Sequence, residues 1–322
     1  MLRQDRLRAL IACVFVLVLS LSFPALAAKD KSKKKGSPKG PPVLWREPVD
    51  IASRDLYLGP GGAKMRPDLH RLKLIKEEQG GYSKKFRVRD GAGREWVAKV
   101  GKEAQSETAA VRLLWAVGYV TEINYLVPRV TIPGKGTFAN VRFEARPKQI
   151  KRLEEWKWAK NPFVGTRAFQ GLKVMMALLN NWDIKDSNNE ILLVHSARGG
   201  NELHYIISDL GATFGKSGSL PIIWRFTRNR NNPEDYAKAK FLDEVKNGHV
   251  FFHYNGKRND LFDDITVADA RWIAGWLAQL SDRQLRDAFR AANYSPEEIE
   301  LLTEAVGGRI EELRTLSREE PR

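Results

Sequence analysis

The stretch Asn180-Asn-Trp-Asp183-Ile-Lys185-Asp-Ser-Asn188-Asn-Glu-Ile-Leu-Leu193 decides how this chain is interpreted. It lies between a segment with the apolar spacing of a helix and an apolar run typical of a strand. A dense polar cluster between two core elements costs about 1 to 3 kcal/mol for each buried group that lacks a partner. The loop therefore either binds a ligand or is solvated.

A second polar junction follows in His204-Tyr-Ile-Ile-Ser-Asp209-Leu-Gly211-Ala-Thr-Phe-Gly215, where a hydrophobic strand ends in an acid and a glycine. A carboxylate at a strand end can coordinate a divalent cation, and the glycine lets the backbone turn away sharply. Asn188 and Asp209 together predict a magnesium site.

The first half of the chain is rich in strand patterns. Three strands joined by tight turns are predicted over 72–101, and a helix over 103–118 that stops at Gly118. Two further strands are predicted over 125–130 and 140–145. These elements predict a small antiparallel sheet with one helix packed on it.

The second half is predicted to be helical. Arg146-Pro147 indicates a hinge, after which helices are expected over 151–163 and 166–182. Three later helices begin at sequences that resemble capping boxes, namely Thr266-x-x-Asp269, Ser281-x-x-Gln284 and Ser295-Pro296-x-Glu298. We find no internal repeat. The expected fold class is α+β, with a sheet lobe followed by a helical lobe.

The spacing Asp183-x-Lys185-x-x-Asn188 resembles the catalytic loop of the protein-kinase-like superfamily. Asp209-Leu-Gly211 is similar to the metal-binding Asp-Phe-Gly of that family. The resemblance implies that Asp183 orients or deprotonates an acceptor hydroxyl and that Lys185 neutralises the transferred phosphoryl group. It also implies that Asn188 and Asp209 hold Mg²⁺.

Two motifs of the first half extend the resemblance. Trp96-Val-Ala-Lys99 is similar to the family's Val-Ala-Ile-Lys strand, and Gly80-Gly-Tyr-Ser83 lies in the hairpin where a phosphate-covering loop belongs. The resemblance assigns the ATP phosphates to residues of these motifs: Gly80, Gly81, Ser83 and Lys99. It also makes Glu107 the ion-pair partner of Lys99, with Glu103 as a rival one helical turn earlier.

Several features depart from the common kinase pattern. Asn181-Trp182 stands where His-Arg usually precedes the catalytic Asp, the glycine loop is short, and an extra hairpin around Arg198 separates Asn188 from Asp209. No Ala-Pro-Glu follows. The chain therefore resembles the atypical branches, namely the HipA-like, phosphoinositide-kinase-like and exported CotH-like kinases.

The amino terminus resembles a cleavable signal peptide over 1–27, with an uncleaved membrane anchor as the alternative. Export to the periplasm or the exterior is therefore expected, and the only cysteine, Cys13, lies within that segment. The predicted divisions after it are a basic disordered linker over 28–45, a nucleotide-binding lobe over 46–147, a helical lobe over 148–305 and a charged tail over 306–322.

The chain carries a net charge of +15, part of it in the Lys-rich linker. We interpret that linker as a solvated spacer, with adhesion to an anionic envelope surface as the sharper alternative. His249 and His253 could ligate zinc, but their Phe and Gly neighbours favour a buried strand or turn. The run Trp224 to Arg230 mixes basic and aromatic residues, for which we favour a substrate-docking or anion-binding surface over nucleic-acid binding.

These observations predict an exported atypical kinase that binds ATP and Mg²⁺ and phosphorylates a protein, lipid or glycan hydroxyl. A non-catalytic pseudokinase that acts as an envelope scaffold is the first alternative, and a basic adhesion protein is the second. The kinase and pseudokinase interpretations depend on one spatial condition. Lys99 of the first half and Asp209 of the second must meet in one cleft.

Overall fold

The structure, a computed structural model, describes residues 39–80, 83–196, 199–218 and 227–317. The predicted signal peptide, most of the predicted linker, Gly81 and the start of the Trp224 to Arg230 run lie outside these residues. Within them the chain forms a two-lobed α+β fold, which confirms the predicted fold class. No helix in the described ranges has the length and apolarity needed to cross a bilayer.

The helices and strands follow the predicted order of a sheet lobe and then a mainly helical lobe. The described strands are β1 (Pro42–Val43), β2 (Lys73–Glu78), β3 (Lys84–Arg89), β4 (Glu95–Val100), β5 (Asn124–Ile132), β6 (Gly136–Ala145), β7 (Lys151–Arg152), β8 (Asn189–His195), β9 (Asn201–Ile207), β10 (Leu242–Lys246) and β11 (His249–Phe252). The described helices are α1 (Glu103–Ala116), α2 (Arg167–Leu178), α3 (Pro233–Lys238), α4 (Val267–Leu277), α5 (Asp282–Ala291) and α6 (Pro296–Thr315).

The first lobe is a five-stranded antiparallel sheet in the order β2-β3-β4-β6-β5, with α1 packed on it. Alternation along β4 decides which side chains face the core. Trp96 and Ala98 are fully buried in the apolar core of the sheet. Lys99 therefore projects from the opposite face, which is the face that α1 and the second lobe approach.

The second lobe combines a small sheet with the remaining helices. Its four strands have the order β1-β9-β8-β7, and α2, α4, α5 and α6 pack together beside them. The pair Met175 and Met176 is fully buried in this core, as expected. The polar loop between α2 and β8, and the turn after β9, emerge at the edge that faces the first lobe.

The predicted helix over 151–163 is wrong. The segment forms the short strand β7 and then turns. Trp156 and Trp158 are both buried, and their ring centroids lie 5.0 Å apart. Residues two apart share a face in extended chain but not on a helix, so burying both tryptophans favours the extended backbone.

The fold also includes residues that the sequence assigned to the linker and the tail. Strand β1 pairs in parallel with β9, and the following Leu44 is only 3% exposed, so the predicted linker ends before it. At the other end α6 continues to Thr315 because Val306, Ile310 and Leu313 form a buried stripe with helical spacing. The predicted charged tail therefore does not begin at 306.

All three predicted capping boxes are confirmed. In each, the N-cap side chain accepts a hydrogen bond from the backbone N–H three residues later, and the later side chain accepts one from the N-cap N–H. The pairs are Thr266 with Asp269, Ser281 with Gln284, and Ser295 with Glu298. These caps fix where the last three helices begin.

Candidate functional site

Lys99 and Asp209 meet, although they come from different lobes. The Lys99 Nζ atom lies 3.5 Å from Asp209 Oδ1, and the lysine side chain is only 4% exposed. The same Nζ atom lies 2.9 Å from Glu103 Oε2 and 3.0 Å from Glu107 Oε2. Burial lowers the pKa of Lys99, but the carboxylates of Glu107 and Asp209 raise it more, so the lysine stays protonated.

Helix α1 supplies both glutamates because residues four apart share one helical face. The sequence left Glu107 and Glu103 as rivals for Lys99, and the structure places both in contact with it. Glu107 is the more deeply buried, and its Oε1 also lies 3.0 Å from Arg142 Nη2. Burial raises the pKa of Glu107, against the opposing effect of Arg142 and Lys99.

Glu103 connects three parts of the site. Besides Lys99, it accepts a hydrogen bond of 2.9 Å from Ser83 Oγ and forms an ion pair with Arg230 of the second lobe. Ser83, predicted to bind phosphate, is thus directed at Glu103 here. Gly80 has a φ of +94° with open space around its missing side chain, as a turn requires. Its neighbour Gly81 lies outside the described residues.

Asp209 is held by the turn that follows β9. Its Oδ1 accepts a hydrogen bond of 3.1 Å from the Gly211 N–H. A Cβ on Gly211 would lie 2.6 Å from the Cβ of Glu103, so only glycine lets this turn approach α1 so closely. Ser106 Oγ on α1 also donates to the Gly211 carbonyl at 2.9 Å. Although burial raises the pKa of Asp209, Lys99 and the Gly211 N–H lower it more.

Asn188 joins the two acidic loops. Its Nδ2 donates to the Asp183 carbonyl at 2.8 Å, and its own carbonyl accepts the N–H groups of Ser208 at 2.7 Å and Asp209 at 3.3 Å. The structure therefore brings the predicted metal ligands Asn188 and Asp209 side by side. Because Nδ2 is used, Asn188 Oδ1 is the atom that a cation would meet.

The donor set of this position fits Mg²⁺. It consists of an amide oxygen and an ionised carboxylate that is 40% exposed. Magnesium commonly takes one or two carboxylates and completes its shell with water and phosphate oxygens. Among the described residues there is no group of three or more His, Cys, Asp or Glu side chains arranged around a metal. Asn188 and Asp209 would therefore be the protein's contribution.

Asp183 lies between two lysines. Its Oδ2 is 3.1 Å from Lys185 Nζ, and its Oδ1 is 2.5 Å from Lys257 Nζ. Burial raises the pKa of Asp183, but the hydrogen bonds from Lys257 and Lys185 lower it more. Asp183 and Lys185 are therefore in direct contact, as expected from their spacing. Lys257 was missed because no motif marks it and 74 residues separate it from Asp183.

Trp182 contacts the described end of the predicted docking run. Two guanidinium groups lie over its ring, with the Cζ of Arg228 at 4.1 Å and that of Arg230 at 4.5 Å from the ring centroid. Its Nε1 donates to the Asn229 carbonyl at 2.7 Å. The aromatic ring at the position where the family usually has Arg therefore anchors this segment by cation–π contacts.

A chain of ion pairs runs from the buried Lys99 to the half-buried Arg152 and Glu190 at the connection between the lobes. Arg142 contacts Glu107 and also Glu144, at 2.9 Å. Glu144 pairs with Arg152, which in turn pairs with Glu190 on β8. The pair of Glu144 with Arg152 joins the sheet lobe to the second lobe.

A cavity of about 710 Å³ lies behind this connection. Trp115, Ile123, Arg146 and Leu192 are among its lining residues, and none of the predicted site residues that the structure describes lines it. Burial lowers the pKa of Arg146 to about 9, although Glu122 raises it. The charged side chains that converge around Lys99, and not this cavity, therefore mark the candidate site.

The predicted zinc alternative is not supported by geometry. His249 Nδ1 lies 3.1 Å from the Asn247 carbonyl, whereas His253 Nδ1 lies 2.9 Å from Asp243 Oδ1. His249 begins strand β11, which matches the interpretation of this run as a strand or turn. The two rings have separate partners.

Comparisons with known proteins find similarity among solved structures. Neither a protein-family model nor a curated protein matches the chain. Among solved structures, the crystal structure of the Helicobacter pylori proinflammatory kinase CtkA is similar, with 11% sequence identity, coverage of 77% of this chain and 95% of that chain, and a TM-score of 0.47. The order of elements in this chain, a sheet lobe followed by a mainly helical lobe, is the order predicted from the sequence.

Proposed function

We propose that this chain is an atypical kinase-like phosphotransferase that binds ATP with Mg²⁺ between its lobes. One observation carries the proposal: Lys99 Nζ of the sheet lobe lies 3.5 Å from Asp209 Oδ1 of the second lobe. The favoured acceptor is a protein, lipid or glycan hydroxyl. The HipA-like, phosphoinositide-kinase-like and exported CotH-like branches are the candidate relatives.

The residues of the cleft suit phosphoryl transfer because that reaction depends on positioning and charge neutralisation more than on covalent chemistry. Protonated Lys99, oriented by Glu103 and Glu107, would bind the nucleotide phosphates. Asn188 and Asp209 would hold Mg²⁺, which supplies neutralisation of phosphate charge when it is bound.

The acceptor hydroxyl would be oriented by Asp183. The lowered pKa of this carboxyl keeps it ionised at neutral pH, so it can accept a hydrogen bond from the hydroxyl. Lys185, which lies 3.1 Å from the same carboxylate, would neutralise charge on the phosphoryl group as it transfers.

A pseudokinase is the second candidate, and a feature of the site favours it. Asp209 already has Lys99 as a partner, so binding of Mg²⁺ must rearrange an existing ion pair. The signal peptide predicted from the sequence supports the further proposal that the protein acts outside the cytoplasm, where ATP is scarce. A fold that binds nucleotide without catalysis would suit that setting.

Thermal denaturation with and without MgATP tests nucleotide binding. We expect MgATP to raise the melting temperature of the wild type, and Lys99→Met and Asp209→Asn to abolish that rise. Lys216→Met is the matched control, since the Lys216 side chain is 42% exposed and pairs with Asp235 and not with a predicted site residue. An equal rise in wild type and both site variants would contradict the proposal. Transfer of labelled phosphate from γ-labelled ATP then separates the kinase from the pseudokinase.

A further inference from the structure

A loop of the second lobe, 254–257, is fixed against the Asp183 loop by hydrogen bonds to main-chain carbonyls. Tyr254 Oη lies 2.7 Å from the Asn181 carbonyl and 2.9 Å from the Lys257 carbonyl, and its single proton can be donated to either oxygen. The Lys257 N–H donates to the Trp182 carbonyl at 2.9 Å. The Lys257 backbone is therefore anchored next to Asp183.

Gly256 makes this approach possible. A Cβ at that position would lie 2.2 Å from Tyr254 Oη and 2.7 Å from the Cα of Trp182. Both atoms belong to the fixed part of the contact, so a larger residue would push the two loops apart. Gly256 thus allows the following Lys257 to lie beside Asp183.

Lys257 and Lys185 occupy equivalent positions on the two oxygens of Asp183. Lys257 contacts Oδ1 and Lys185 contacts Oδ2, and each lysine side chain is 41% exposed. The carboxylate between them is 19% exposed. A lysine ammonium has three N–H donors, so each can contact Asp183 and still donate to a ligand on the open side.

The ligand that would arrive on this side carries negative charge. Asn188 connects Asp183 directly to the turn of Asp209, so the phosphate-binding and acceptor-binding parts of the cleft adjoin. The neighbouring Arg258 pairs with Asp260 at 2.9 Å and lies 3.7 Å from Asp186, so its charge is already matched by carboxylates. At Asp183 itself, two lysines face one carboxylate, which leaves one positive charge in excess at that point.

We propose that Lys257 is a second phosphoryl-binding residue that, with Lys185, contacts the transferred phosphoryl group from the two sides of Asp183. This inference rests on the proposed phosphotransferase function. In the transfer, the bond from phosphorus to the acceptor oxygen forms as the bond to the β–γ bridging oxygen breaks, and the acceptor proton passes to Asp183 or solvent. Lys257 keeps its protons and stabilises charge on the equatorial oxygens.

Binding of MgADP with and without aluminium fluoride tests the proposal, because the planar fluoride complex imitates the transferring phosphoryl group without requiring the acceptor. We expect fluoride to tighten MgADP binding by the wild type. Lys257→Met and Lys185→Met should each reduce that tightening about tenfold, the loss of one charge-assisted hydrogen bond. Their affinity for MgADP alone should stay within about twofold of wild type.

Two further variants act as controls. Lys216→Met removes a lysine of the same lobe with 42% exposure and should leave the fluoride effect unchanged. Lys257→Arg keeps the charge and should retain most of the effect, and if Lys257→Met does not fold, Lys257→Arg against Lys257→Gln gives the same comparison. The inference alone is overturned if Lys257→Met behaves like Lys216→Met, or if fluoride has no effect on a wild type that binds MgADP. A wild type that does not bind MgADP overturns the proposed function itself.

Discussion

Two clusters of charge flank the cleft, and they differ mainly in burial. The inner cluster consists of Lys99, Glu103, Glu107 and Arg142, whose side chains are at most 7% exposed. The outer cluster consists of Asp183, Lys185 and Lys257, with side chains 19% to 41% exposed. Both place carboxylates against cations at hydrogen-bonding distance. The two clusters have the same kinds of charged groups but differ in their exposure to water.

Burial changes what each cluster contributes. Removing one partner of a buried ion pair leaves an uncompensated charge in a low-dielectric environment and costs about 3 to 5 kcal/mol. An exposed pair contributes about 0 to 1 kcal/mol because water screens it. Substitutions in the inner cluster should therefore lower the stability of the fold as well as disturb the site. Substitutions in the outer cluster should have little effect on folding.

The largest expected effect is that of removing Glu107. Glu107→Ala leaves Lys99 and Arg142 without their shared carboxylate, so we expect the free energy of unfolding to fall by about 3 to 5 kcal/mol. Urea denaturation followed by tryptophan fluorescence measures it. Glu107→Gln, which keeps a hydrogen-bond acceptor, should cost less. A loss below about 1 kcal/mol would mean that the inner cluster behaves like an exposed pair.

The next effect concerns Arg230, which links the outer side of the cleft to the inner cluster. Its guanidinium group pairs with Glu103 and covers the ring of Trp182. A double-mutant cycle of Arg230→Gln and Glu103→Gln should give a coupling energy of about 1 to 3 kcal/mol. The exposed pair Lys135 with Glu77 serves as a control and should couple less. Equal coupling in both cycles would contradict a link between the clusters.

Much of this arrangement could be predicted from the sequence because the motifs are local. Asp183 and Lys185 are two residues apart, and Asp209 stands at the end of a readable strand. The strand alternation that buries Trp96 also places Lys99 on the face of the cleft. The local sequence pattern was therefore enough to predict that these residues share one site.

The missed contacts are those that depend on distant chain segments. Lys257 reaches the site from a loop with no helical or strand period, so no local pattern marks it. Arg230 belongs to the run interpreted as a docking surface, but its ion pair with the distant Glu103 could not be predicted from that run. The wrong helix over 151–163 has the same origin, since Trp156 is held by a hydrogen bond to the carbonyl of Ile206 on β9. Tertiary packing overrides local propensity at such positions.

A smaller effect should appear in the pH dependence of stability. The pKa of Asp183 is lowered in the folded state, so its ion pairs stabilise the protein above the ordinary carboxyl pKa and that contribution disappears as pH falls through the folded value. The stability difference between wild type and Asp183→Asn should therefore shift towards the variant as pH falls from about 5 to 3. Urea denaturation at stepped pH measures it. A shift in the opposite direction would show that burial dominates this carboxyl.

The smallest effect on folding is expected for the two lysines of the outer cluster, whose proposed effect on fluoride-dependent binding is large. Lys185→Met and Lys257→Met each remove one half-exposed partner of Asp183, while the other lysine remains in place. We expect each to change the free energy of unfolding by less than about 1 kcal/mol. Lys99→Met should cost several times more, because it leaves the buried carboxylates of Glu103 and Glu107 with fewer cations.

Urea denaturation of the three lysine variants side by side tests this difference. Equal losses for the inner and outer lysines would mean that burial does not separate the two clusters. A small loss for Lys257→Met combined with weakened fluoride-dependent binding would instead show that this lysine serves the ligand and not the fold. That combination cannot arise from a residue whose only role is to hold the 254–257 loop in place, because loss of the loop would reduce stability first.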